Sequence, residues 1–131
     1  MPNRFLRPLT SAAVLSLISL AAAGHHSVAG EFDHGQRVSL TGVISEIEWI
    51  NPHIYVHLDV TDDAGNVEQW RLESVPPSYL RKARVTKDML MRDGSEVTID
   101  AILPHNGTPH LGFVLVINYP DGTAYQLSTT E

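Results

Sequence analysis

The chain contains no cysteine. Disulfides, thiolate nucleophiles, iron–sulfur ligation and cysteine-held zinc are therefore excluded. It has little positive charge, 9 Lys+Arg against 15 Asp+Glu in 131 residues, a formal net charge of −6. A nucleic-acid binder needs Lys and Arg to replace phosphate counterions, so an acidic chain argues against that class. Motifs of hydrolases and nucleotide enzymes are missing as well: there is no Gly-x-Ser-x-Gly elbow, no phosphate-cradling glycine loop and no His-Glu-x-x-His. Carboxylates are plentiful, but no spacing singles out an acid/base pair. These absences make an enzyme the less supported class, and the expectation is a binding protein.

Long apolar runs are also scarce. The uncharged stretch over residues 9–23 follows Arg4 and Arg7 and closes on Ala21, Ala22, Ala23 and Gly24. It is shorter than the roughly 20 residues of a membrane-spanning helix and has the small-residue close of an export signal. The expected organisation is a signal peptide over residues 1–24, a flexible histidine-containing arm over residues 25–36, and one β domain over residues 37–131. The mature protein is then soluble, periplasmic or secreted, with no membrane span. Apolar residues make up 43% of the chain, enough to bury one core.

The domain reads as β. Val38, Leu40, Ile44, Ile47 and Trp49 suggest a long first strand. Gly42 and the change of phase near Ser45 imply a bulge or bend within it. Ile54, Val56, Leu58 and Val60 alternate with His53, Tyr55, His57 and Asp59, the cleanest strand in the chain. A turn at residues 62–66 leads to a third strand over 67–74. Pro76 and Pro77 suit a helix start, with turns over 78–83 and after Thr86. Residues 96–103 and 111–119 form two further strands, and residues 123–127 add a short one. This order predicts a mainly β fold, a small OB-like Greek-key barrel of five or six strands with one short helix between strands 3 and 4. Ligands of such barrels usually lie on the face of strands 2–3, between the loops joining strands 1–2 and 4–5.

Seven histidines are present, all after the expected signal, and they carry the chemistry. Neutral imidazole is a common ligand of copper, zinc and nickel. Cleavage after Gly24 leaves His25 with a free α-amine beside its imidazole, resembling a histidine brace. Cleavage after Ala23 leaves Gly24-His25-His26, resembling an amino-terminal copper/nickel motif. Square-planar nitrogen ligation favours copper over zinc. The competing reading is that His25 and His26 are solvated residues of a polar arm. On the second strand His53 and His57 are too far apart to share an ion, and that face reads equally as solvated. His105 and His110 lie in the loop between strands 4 and 5. In an OB-like barrel they and His53 could converge on one ion, with Asn51 and Asn106 nearby.

His25-His26-Ser27, Glu31-Phe32-Asp33, Thr41-Gly42 and Glu48-Trp49-Ile50-Asn51-Pro52-His53 resemble an exported bacterial family, domain of unknown function family 6152. Its C-terminal Leu-Pro-Asp-Gly is met here by Tyr119-Pro120-Asp121-Gly122. The resemblance covers most of the mature chain. It implies a signal peptide and a small β domain, and it implies no activity. The family usually carries a basic stretch where this chain has His105 and His110, so a shared function would rest on His25, His26 and His53.

Two function classes follow. One is an envelope metal-binding module with copper as cofactor, held by His25, His26, His53, His105 and His110. The other is a metal-free module holding a peptide, glycan or envelope protein partner on a face with Trp49, Asn51, Tyr55, His57, Trp70 and Arg71. Brace-like copper oxidation stands behind both, since nothing marks a substrate cleft.

Overall fold

The protein is described by a computed structural model, in which residues 27–128 are described. The expected signal over 1–24, together with His25 and His26, lies outside these residues. A helical turn, α1 (Val28–Glu31), leads directly into β1 (Phe32–Glu48). There follow β2 (Tyr55–Thr61), β3 (Val67–Glu73), α2 (Pro77–Lys82), α3 (Lys87–Met91), β4 (Glu96–Pro104), β5 (Leu111–Asn118) and β6 (Ala124–Gln126). The arm expected over residues 25–36 is therefore corrected from residue 27 onward. Ser27 caps α1 through its side chain, and Phe32 is buried.

β1 pairs antiparallel with β2 on one side and β4 on the other, β2 pairs with β3, and β4 with β5. A parallel seam, Arg71↔Leu111 to Glu73↔Phe113, joins β3 to β5 and closes a five-stranded OB-like barrel. β6 extends the far end of β5 through Val116↔Gln126 to Asn118↔Ala124.

The length and bend of β1 follow from its residues. Leu40, Gly42 and Ile44 point inward in one phase, Ile47 in the other. The register jumps between Ile44↔Leu58 and Glu46↔His57, leaving Ser45 as the extra residue. A bulge of this kind bends a strand and raises its twist, which lets one strand serve both halves of a barrel. Gly42 is where β2 comes closest: a Cβ there would lie 2.2 Å from the Asp59 carbonyl oxygen. No other residue fits that crossing.

Inside, Ile44, Ile47, Ile54, Val56, Leu58 and Leu72 meet Val97, Ile99, Val114 and Ile117. Leu80 and Leu90, both fully buried, plug this core from the segment between β3 and β4. Two short α-helices occupy that segment where one was expected. Ala83 and Arg84 end α2, Arg84 taking a left-handed φ of 58°. Thr86 then restarts the chain by capping the Met89 amide of α3. Tyr119 donates to the Leu90 carbonyl at 2.6 Å, tying α3 to the end of β5; burial pushes its phenol up to about 12.

A second, smaller cluster lies on the other side of the wall. Phe32, Ile102, Phe113 and Leu115 are buried together, with Val28 against them and the Phe32 and Phe113 rings 5.6 Å apart. This explains why β5 is apolar on both faces: one lines the barrel, the other lies under the N-terminal segment.

Candidate functional site

β1 carries a second irregularity. Its pairing with β4 jumps between Asp33↔Leu103 and Arg37↔Ile102, so residues 34–36 are left out of register. Asp33 stabilises the excursion by accepting from the Gly35 amide and the Gln36 side-chain amide, each at 2.8 Å. His34 stands on this bulge. Opposite it, His53 is fixed by its neighbour Ile54, whose amide donates to Val75 at 3.1 Å and whose carbonyl accepts from Ser74 at 3.0 Å. Both histidines line one cleft of about 390 Å³. Its walls are Val28 and Ala29 of α1, Phe113 and Leu115 of β5, residues 74–76, and Ser128.

Two features give this cleft chemical character. The first is an ion pair: His53 Nδ1 lies 2.6 Å from Glu73 Oε1, and Glu73 is only 8% exposed. Burial pushes the Glu73 carboxyl above its ordinary 4.5, with His53 pulling it down and Glu31 adding to the rise. A carboxylate on Nδ1 fixes the imidazole tautomer and leaves Nε2 as a lone-pair donor. This is the outer-shell arrangement usual behind metal-ligating histidines. The second feature is a pair of orphans. Ser74 Oγ and Ser128 Oγ are buried and have no hydrogen-bond partner among the described residues.

The other expected site residues lie elsewhere. His105 donates from Nε2 to the Ala29 carbonyl at 3.2 Å, and its amide donates to Glu31 at 3.0 Å, so it pins α1 to the loop after β4. His110 takes a left-handed φ of 55°, lies against Trp70, and faces Glu68 at 3.3 Å. Glu68 and Glu73, the partners of His110 and His53, are five residues apart on β3. That is about 17 Å along the strand, and on opposite faces. Convergence of His53, His105 and His110 on one ion is thus corrected. Among the described residues no group of three or more His, Asp or Glu is arranged to hold a metal ion.

On the outer face of β2 and β3, His57 donates to Glu48 Oε1 at 2.6 Å. Arg71 donates to both Glu48 oxygens and stacks on Tyr55, 3.4 Å from the ring centre. Arg71 and His57 together hold Glu48 below the usual carboxylate range. These groups satisfy one another, which leaves little for a ligand. Trp49 and Trp70 are half-buried against the main core rather than displayed as platforms. Asn51 is exposed and joined to Pro52 by a cis peptide.

Sequence reading places His34 in the arm and gives no role to Glu73, Ser74 or Ser128. The signal for His34 is Asp33-x-Gly35, an Asx turn between buried Phe32 and partly buried Val38. Nothing local marks Glu73, whose burial comes from elements far along the chain.

A closed five-stranded OB-like barrel with an N-terminal segment folded over its wall, and a histidine-lined cleft beneath that segment, is the class of domain these elements define. The chain belongs to the Family of unknown function (DUF6152), whose model matches residues 13–112, most of its length. No curated protein and no solved structure matches it. Among the described residues no helix is long and apolar enough to cross a membrane.

Proposed function

We propose that the protein is an exported binding module for Cu(II), held by the N-terminal amine and imidazole of mature His25, by His26, and by His53 with His34 at the cleft edge. The carrying observation is the Glu73–His53 pair, which presents one imidazole nitrogen in a cleft whose wall begins at Val28. His25 and His26 immediately precede Ser27, the cap of α1, in the sequence, which is the reason they enter the proposed set. A terminal amine with several imidazoles is a nitrogen set suited to Cu(II). His105 and His110 are not in the ligand set, being held by Ala29 and Glu68. The mutually bonded face of Glu48, Tyr55, His57 and Arg71 gives no comparable support to a peptide- or glycan-binding reading.

The test is metal analysis of protein exported to the periplasm and purified with its authentic N-terminus, followed by Cu(II) titration. One equivalent of copper is expected. A form with an extra Met before His25 should bind at least about tenfold more weakly, because acylating the amine removes a ligand. Equal affinity in the two forms overturns the terminal-amine reading. Affinity should also fall as pH is lowered, because a metal ligand must be deprotonated and protons compete with the ion.

Glu73→Gln gives a second readout. Copper affinity should drop about 10–100-fold, the usual cost of losing an outer-shell carboxylate. Stability should move differently. Unfolded, Glu73 ionises near its ordinary 4.5; folded, it does so at higher pH. Its contribution is full below 4.5 and declines as pH rises through the raised value. Relative to the parent, Glu73→Gln should therefore gain stability as pH rises above 4.5, as read by thermal melts of the metal-free protein.

A further inference from the structure

We infer that the cleft between α1, residues 74–76 and β5 is also a binding site for a small neutral amphipathic molecule: an apolar ring or short chain bearing one hydroxyl. The inference goes beyond the copper reading and stands without it. The cleft, about 390 Å³, falls within the size range of small-molecule sites, which are mostly apolar with a few convergent polar groups. Val28, Val75, Pro76, Phe113 and Leu115 supply apolar wall. Val28, Phe113 and Leu115 belong to the smaller cluster on the outer side of the barrel, while Val75 belongs to the main core and forms the floor where the two meet.

The polar groups define the head of the ligand. A buried hydroxyl without a partner is destabilising, and native structures retain few such groups. Here two hydroxyls without a partner among the described residues belong to Ser74 and Ser128, which both line this cleft. Ser74 is fully buried, and its amide is already committed to Ile54. A serine hydroxyl both donates and accepts, and an imidazole with Nδ1–H on a carboxylate accepts at Nε2. A ligand hydroxyl is complementary to this set. Its oxygen accepts from one serine, and its hydrogen goes to the other serine or to an imidazole nitrogen. A carboxylate head is disfavoured, since it has no hydrogen to donate and would sit near Glu73 and Glu31, two acids that already repel each other.

The probe is 4-ethylphenol, titrated calorimetrically into the mature full-length protein with EDTA present. Saturable one-to-one binding is expected. Ethylbenzene, which lacks the hydroxyl, and 4-ethylbenzoate, which carries charge, should each bind about tenfold more weakly or less. Ser74→Ala should weaken 4-ethylphenol binding about five- to tenfold, while the melting temperature of the free protein is unchanged or raised, because no native partner is lost. Val28→Ser, at a half-buried position outside the main core, should weaken binding by a similar factor with the β circular-dichroism spectrum intact. The inference is overturned by absence of saturable binding, by equal affinity in Ser74→Ala, Val28→Ser and parent, or by binding that appears only when Cu(II) is added. It is also overturned if Ser74→Ala lowers the melting temperature of the free protein without changing 4-ethylphenol affinity. That result would mean the hydroxyl serves a buried structural water.

Discussion

Gly42→Ala should cost the domain more than about 3 kcal/mol and leave it largely unfolded at 37 °C. The methyl group would sit 2.2 Å from the Asp59 carbonyl oxygen and within 3.3 Å of the Val60 Cα. Both are backbone atoms of β2, so no side chain can rotate away. The strands must separate, and the pairs Val43↔Asp59 and Ile44↔Leu58 are the ones that part. Chemical denaturation of parent and variant, read by tryptophan fluorescence, checks this. Gly107→Ala is the control. Gly107 has a left-handed φ of 71° but nothing within 4 Å of the added atom, so its cost is confined to backbone strain of about 1 kcal/mol.

Val56→Asp should be as damaging. Val56 has no exposed surface, lies opposite Ile47 and Leu72, and belongs to the main core. A carboxylate there has no partner and must be buried charged or forced to protonate, a penalty of several kcal/mol. The adjacent substitution should behave in the opposite way. His57→Ala removes one hydrogen bond to Glu48, which keeps Arg71, so the loss should be about 1 kcal/mol or less. Urea melts of the two variants separate the faces of β2. If His57→Ala unfolds the domain and Val56→Asp does not, the strand runs one residue out of the register described.

Those two positions also show what could be read from the chain alone. Ile54, Val56 and Leu58 alternate with polar residues because β2 has one dry face and one wet face, and that pattern is local. Ser45 was legible for the same reason, since an extra residue shifts the phase of every apolar residue beyond it. Thr86 is recognisable as a cap from its own side chain. Phe32 is a different case. Its burial depends on Ile102 and Phe113, which arrive from strands far along the chain, so residues 27–36 read as a polar arm when they are a turn and the start of β1. The candidate site divides along the same line between what is local and what is tertiary. His53 is marked by Asn51-Pro52-His53, whereas its ally Glu73 and its cleft neighbour His34 meet it only through the barrel. His105 and His110 looked like ligands because a histidine in a loop shows no partner in sequence. Their partners, the Ala29 carbonyl and Glu68, are supplied by tertiary structure.

The seam between β3 and β5 has one more implication. It consists of three residue pairs, against nine between β1 and β4. It joins residues 71–73 to residues 111–113, across the whole of α2, α3 and β4. Hairpins such as β2–β3 close short loops, whereas this pairing closes a long one and must await the others. Barrel closure is thus the late event in assembly, and the same few bonds are the first to part when the native state breathes. Phe113 lies on the seam and also lines the cleft. An occupant held against Phe113 would therefore act as a latch on the whole barrel, coupling what the protein binds to how long it stays shut.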